Sequence, residues 1–381
     1  MGSCNYVFAG LVATSAILFW NFNIDFSAHK YSFPSPPEFT GPLTPNKDLQ
    51  NANLILKGKI LGPESILVEG DTLYTGTWDG KVLQIVNGQI KKTIYLNHPL
   101  STCATYDTEP VCGRPLGIRR FNKDLLVVAD TYHGIYTVNV AKSESKLIFS
   151  SKTVVGGYAS KFLNDLDVVD EDTIIVTDSS TKYGRRQFFH VVLANAPDGR
   201  VIEVKVSTGK AKILLYGLRF PNGVQLHPNK DSVIISECTM ARILRLYIKG
   251  EKVGEVEVFA NNLPGLPDNI RLSKQGTFYV GLANPRKPGQ LNFVDLIGPY
   301  PWIRSIIMSV IPERTLVTLF GKIHAHYGLV VELNHKGDII KSYHDPEGKV
   351  IADVSQVSDD DKYLYLGSFR APFIAQVPKR K

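Results

Sequence analysis

Cysteine is scarce in this chain: four in 381 residues, at Cys4, Cys103, Cys112 and Cys238. So few exclude a disulfide-built scaffold, and none has a histidine placed beside it as a structural zinc site requires. Long helical periodicity is nearly absent, which points away from helical folds. Basic clusters are nearly missing too. The net charge is +7, but Lys and Arg are scattered apart from Lys379-Arg380-Lys381 at the C-terminus. With no nucleic-acid-binding motif beside them, no nucleic-acid partner is expected. No N-x-[ST] sequon occurs, which weakens an extracellular assignment without excluding it.

The first charged side chain is Asp25, so the basic flank of an ordinary signal peptide is missing. What stands there instead is YVFAGLVATSAILFW, Tyr6 to Trp20, apolar almost throughout. Carried on to Ile24 it reaches the roughly 20 residues that span a bilayer. Residues 6–24 therefore read as a retained signal anchor after a short tail, 1–5, with a cleaved signal peptide as the alternative. Lys30, Lys47, Lys57 and Lys59 follow it, against the positive-inside rule for that orientation. Pro34 to Pro45 carries Pro-Ser-Pro-Pro and Gly-Pro-Leu-Thr-Pro, so residues 25–53 read as a stiff linker.

From residue 54 to 381 the pattern is short Val/Ile/Leu/Tyr runs broken by Gly, Asn and Asp, which are strand signals. The runs recur. Units open at Gly62, Arg114, Phe162, Phe220, Leu266 and Ile351, with a period of roughly 40 to 50 residues of antiparallel strands. This predicts an all-β, six-bladed β-propeller. Leu54 to Gly62 belongs to no unit and is expected to supply the outer strand of the last blade, removing an open edge. One stretch, about 285–326, is too long for a propeller turn. In it Ile303, Ile306, Ile307 and Val310 recur at helical spacing, predicting a helix. That helix either packs on the rim, or forms a lid over the axis or a membrane-touching patch.

In a propeller the first strand of each blade lines the channel, so equivalent positions there converge. Four units place an oxygen donor at that position: Glu64 in GPES, Asn164 in FLND, Asn222 in FPNG, and Asp268-Asn269 in LPDN. Turn chemistry explains each alone but not their alignment. Two carboxylates and three amides form a hard-oxygen set of charge −2, which suits Ca²⁺ and not zinc. His324 and His326 lie on the insertion and read as solvated. Cys103 and Cys112 bracket a polar loop and fit a small disulfide in an oxidising compartment, and Cys238 in VIISECTM reads as a buried free thiol.

CGRPLGIR, VVADTYHGIY, FLNDLDVV, GLRFPNGVQL, LPDNIRLS, PYPWIRSII, YHDPEG and YLYLGSFRAPF together resemble the strictosidine synthase-like propellers. Within that family the sequence is most similar to the adipocyte plasma membrane-associated group, with serum paraoxonases more distant. The resemblance implies an N-terminal anchor (single-pass, type II) and a lumenal or extracellular propeller. It also implies a catalytic calcium on Glu64, Asn164, Asn222, Asp268 and Asn269. Asp165 matches one ligand of a second, structural calcium, whereas Ser65 stands where another carboxylate would be. Leu116 replaces a catalytic histidine, and His133 lies near the place of another. Ser355 stands at the glutamate of strictosidine synthase, so a Pictet–Spengler condensation is not expected. The leading expectation is a calcium-dependent arylesterase- or lactonase-like hydrolase of hydrophobic esters, with Asp268 or Asp165 acting on water. The alternative is a non-catalytic calcium-stapled propeller that binds a ligand or protein.

Overall fold

Apolar residues alternating with polar ones, and interrupted by Gly, Asn and Asp, fold here into antiparallel strands that pair in fours. A computed structural model describes residues 26–97, 102–323 and 326–380. Among them, six four-stranded sheets form the blades of a propeller, as the repeat predicts. The innermost strands of blades 1 to 6 are Ile66–Glu69, Pro115–Arg120, Leu163–Val168, Pro221–Leu226, Gly265–Leu272 and Gln356–Asp359. The ring closes through Asn53–Ile55, whose residues pair with Gln376 to Ile374 of the last strand. The closing strand is therefore shorter than expected, and Leu56 to Lys59 turn instead. Apolar side chains pack between neighbouring sheets, such as Val127, Leu166, Ile174 and Ile202 between blades 2 and 3.

The innermost strands crowd the axis closely enough to require glycine. A Cβ on Gly223 would lie 2.5 Å from the Ile270 nitrogen and 2.6 Å from the Asn269 Cα. Any side chain there would push blade 5 away from blade 4.

The Pro-rich stretch is no free spacer. From residue 26 it runs as a strap over the propeller. The His29 N–H donates to the Ala194 carbonyl (2.8 Å). The Tyr31 hydroxyl donates to Val294 O (2.9 Å), and Leu43 and Leu49 are buried. The expected membrane segment, 6–24, lies outside the described residues. No helix among those described is long and apolar enough to cross a membrane.

Two insertions meet above the axis. Blade 3 contributes the helix Phe188–Ala194; blade 5 contributes Phe293–Ile297, Pro301–Val310 and Glu313–Ile323. Phe189, Leu193, Ile297, Met308 and Leu316 form their shared core. Of the four positions that predicted the helix, Ile303 and Ile307 pack into that core while Ile306 and Val310 point to solvent. The inward face is completed by Arg304, which donates to the carbonyls of Leu193, His29 and Gly298. Hydrophobic spacing alone does not anticipate a buried arginine facing the core.

Candidate metal centre

In a regular strand successive side chains alternate between faces. Blades 2 to 5 break this rule at one shared place. Their innermost strands skip register between Pro115 and Ile118, Leu163 and Leu166, Pro221 and Val224, and Pro267 and Ile270. Each skip sets two residues against one on the next strand, which is a β-bulge. The doubled residues are Leu116-Gly117, Asn164-Asp165, Asn222-Gly223 and Asp268-Asn269. The oxygen donors thus lie inside the strands, at bulges that re-aim them, and not at strand mouths as the sequence suggests. Glu64 precedes the first strand of blade 1.

These residues end at the floor of a cavity of about 300 Å³, which Glu64, Asn164, Asn222 and Asp268 help to line. Leu116, Phe162, Phe220, Leu266 and Phe369 make its apolar wall, and Phe188, Phe189, Val294 and Val317 of the insertions cover it. The insertion is therefore a lid. The repeat does not announce Phe188–Ala194; its signal is the long gap between Thr173–Asp178 and Gly199–Lys205 of one blade.

Hydrogen bonds fix the amides. Asn164 Nδ2 donates to Ser179 Oγ (3.0 Å), which donates in turn to Pro221 O (2.7 Å). Asp268 accepts from the side chains of Ser355 and Asn222. Ser355 Oγ itself accepts from the Phe369 N–H at 3.0 Å, so this residue orients a carboxylate. These bonds leave Oδ1 of Asn164, Asn222, Asp268 and Asn269 buried, with no protein partner. A buried acceptor left unpaired costs about 1–3 kcal/mol, and three from equivalent positions with a fourth beside them need a reason. Among the described residues no group of three or more His, Cys, Asp or Glu side chains is placed to hold a metal ion. The donors here are two carboxylates and three amide oxygens, which fit a hard cation of the calcium type.

The charges agree. Burial, reinforced by Glu64, pushes the Asp268 carboxyl well above its usual range. Burial also raises Glu64, although Arg114 stands 3.6 Å away. Two carboxylates held above their normal pKa without a cation would gain from one.

Asp165 does not join them. Burial disfavours its charge, but Arg119 and Arg271 outweigh it and hold the carboxyl below its usual pKa. Arg271 bonds both its oxygens, at 2.7 and 2.9 Å, and donates to Ser65 Oγ at 3.0 Å. The guanidinium occupies the oxygens that a second ion would need. His133 sits in the turn after Leu125–Asp130, its N–H donating to Asp130 Oδ1 (2.9 Å), and does not line the cavity. His326 is exposed, and His324 lies outside the described residues. Cys103 and Cys112 form a disulfide, tethering the loop whose Tyr106 and Glu109 reach the cavity. Cys238 is a buried free thiol on the wall, its pKa raised by burial and by Asp268.

Two family models match, strictosidine synthase over residues 164–251 and the strictosidine synthase-like N-terminal region over residues 41–85. The chain is 43% identical to the adipocyte plasma membrane-associated protein of Gallus gallus over 347 residues, covering 91% of this chain and 82% of the relative. Strictosidine synthase-like protein 10 of Arabidopsis thaliana is 36% identical, covering 89% and 90%. Among solved structures, a gluconolactonase of Xanthomonas campestris superposes with a TM-score of 0.55 at 15% identity, covering 93% of this chain and 99% of that one. Regucalcin of Agrobacterium tumefaciens gives 0.54 at 12%, covering 86% and 93%. These two share the fold. The matches to named relatives over nine-tenths of the length, with the two family models, place this chain in the strictosidine synthase-like family, beside the adipocyte plasma membrane-associated proteins.

Proposed function

We propose that this chain is a membrane-anchored, calcium-dependent hydrolase of the arylesterase or lactonase class, acting on hydrophobic esters. One observation carries this reading: Asn164, Asn222 and Asp268, each with a partnerless buried oxygen, line one apolar cavity together with Glu64. Glu64, Asn164, Asn222, Asp268 and Asn269 would hold the ion. Calcium bound there supplies a Lewis acid for an ester carbonyl oxygen. Phe162, Phe220 and Phe188 receive the hydrophobic part of the substrate and keep bulk water out. Ser355 and Asn222 fix the Asp268 carboxylate, the remaining candidate for orienting a water, since Asp165 is taken up by two arginines. The solved structures of similar fold are those of a calcium-binding regucalcin and a gluconolactonase, and the Gallus gallus relative is named as plasma membrane-associated, in keeping with this reading. A single-pass type II anchor with the propeller lumenal or extracellular agrees with the Cys103–Cys112 disulfide.

A second reading has its own support. Leu116 fills the bulge of blade 2 with an apolar side chain, and no histidine lines the cavity among the described residues. On that reading calcium staples the propeller and the cavity binds without turnover. Hydrolysis of phenyl acetate and a lactone panel, by the full chain in detergent with calcium or chelator, separates the two. The hydrolase reading requires activity that vanishes with chelator and in Asn222→Ala and Asp268→Ala. A folded, calcium-stabilised protein with no turnover establishes the binding propeller instead.

A further inference from the structure

The lid has a second apolar face. Leu291, Leu296, Tyr300, Trp302, Ile306 and Val310 are all exposed, Leu291 at 89% and Trp302 at 63%. Trp302, Ile306 and Val310 are spaced four apart on the helix Pro301–Val310, which aligns them in one outward stripe. Charge is absent from this face. Between Lys287 and Glu313 only Asp295 and Arg304 are charged. Arg286 pairs with Asp295 at 2.8 Å, and Arg304 is buried against three carbonyls. An outer surface carrying several large apolar side chains and no charge is costly in water and marks an interaction site.

The path of the chain selects the occupant. Residue 26 is where the described fold begins, and Phe26 packs on the lid core and against the rings of Tyr183 and His190. The described chain therefore begins against the lid core, two residues after the apolar run that ends at Ile24 in sequence. Trp and Tyr among aliphatic residues form the mixture favoured at the boundary between lipid headgroups and acyl chains.

We propose that the outer face of the lid lies on the bilayer that holds the N-terminal segment, with Trp302 among the acyl chains nearest the headgroups. The cavity beneath the lid then opens close to the membrane surface, and lipid-soluble molecules are its natural supply. This inference rests on the reading of residues 6–24 as an anchor, and one experiment tests each separately. The chain has three tryptophans: Trp20 in the anchor, Trp78 in the cavity wall and Trp302 on the lid. The full chain is reconstituted in phosphatidylcholine liposomes, with and without lipid brominated near the carboxyl end of the acyl chain, and tryptophan quenching is read. In Trp20→Phe, quenching is expected to persist and to disappear when Trp302→Phe is added. In Trp302→Phe alone, remaining quenching reports the anchor. Quenching of Trp20 without any from Trp302 leaves the anchor standing and overturns the inference. In that case cross-linking through the lid would assign the face to a second copy of the chain or to its own N-terminal segment. Absence of quenching from both tryptophans overturns the anchor and the inference together.

Discussion

Replacing Asp268 with asparagine keeps the shape of the side chain and removes one buried negative charge. In the ion-free protein this carboxyl is raised by burial and by Glu64, so the folded state resists its ionisation. A carboxyl whose folded pKa lies above its unfolded value loses stability as pH rises from the ordinary carboxylate range, near 4, toward the raised pKa. At neutral pH with chelator, Asp268→Asn is therefore expected to melt above the wild type. With calcium the order should reverse, because the variant lacks one of two formal charges on the ion's ligands. Calcium at a hundred times its dissociation constant adds about 2.7 kcal/mol to the wild type. At about 2.1 cal/mol/K of unfolding entropy per residue, that is a rise of about 4 °C for a fold of this size. Scanning calorimetry or fluorescence melting of both proteins, with calcium and with chelator, reads the crossing directly. Equal calcium shifts in the two proteins, with no gain for the variant in chelator, would refute both the charge argument and the ligand assignment.

Arg271→Ala should cost about 3–5 kcal/mol in denaturant unfolding, because it leaves the buried carboxylate of Asp165 with only its longer contact to Arg119 at 3.5 Å; adding Asp165→Asn should recover part of that loss. His344 is buried between Tyr327 and Ser342, and burial lowers its pKa to about 4, with Arg380 adding to the effect. The unfolded chain takes up this proton near 6.5, so stability should fall from pH 6.5 toward 4, by up to about 3 kcal/mol, and His344→Gln should flatten that limb of the pH–stability curve. The Cys103–Cys112 bridge spans nine residues, and opening it with Cys112→Ser should cost at most about 3 kcal/mol by loop entropy, read as a lowered melting temperature. An unchanged melting temperature would mean that the loop is held by its other contacts.

The repeat of apolar runs and polar turns determined the propeller, its blade count and the outer strand that closes it, because a blade is local in sequence and its pattern survives translation along the chain. The same periodicity carried the oxygen set: equivalent positions in a cyclic fold must converge, so an alignment of Glu64, Asn164, Asn222 and Asp268 across units becomes a cluster in space. The partnerless state of those oxygens was beyond it. That depends on bulges, which break the two-residue period on which strand patterns rest, and on hydrogen-bond partners such as Ser179 and Ser355 that come from other strands or blades. Asp165 shows the same limit. Its neighbour in sequence faces the cavity, yet its own partners lie 46 residues away on blade 2 and 106 residues away on blade 5, and Arg119 and Arg271 decide that this carboxylate balances guanidinium charge. The lid was half legible. Ile303 and Ile307 predicted a helix, but its inward face also needed Arg304, whose burial is satisfied by carbonyls from three separate segments. Local sequence records which residues avoid water, whereas the identity of their partners is settled only when distant segments of the chain are brought into contact.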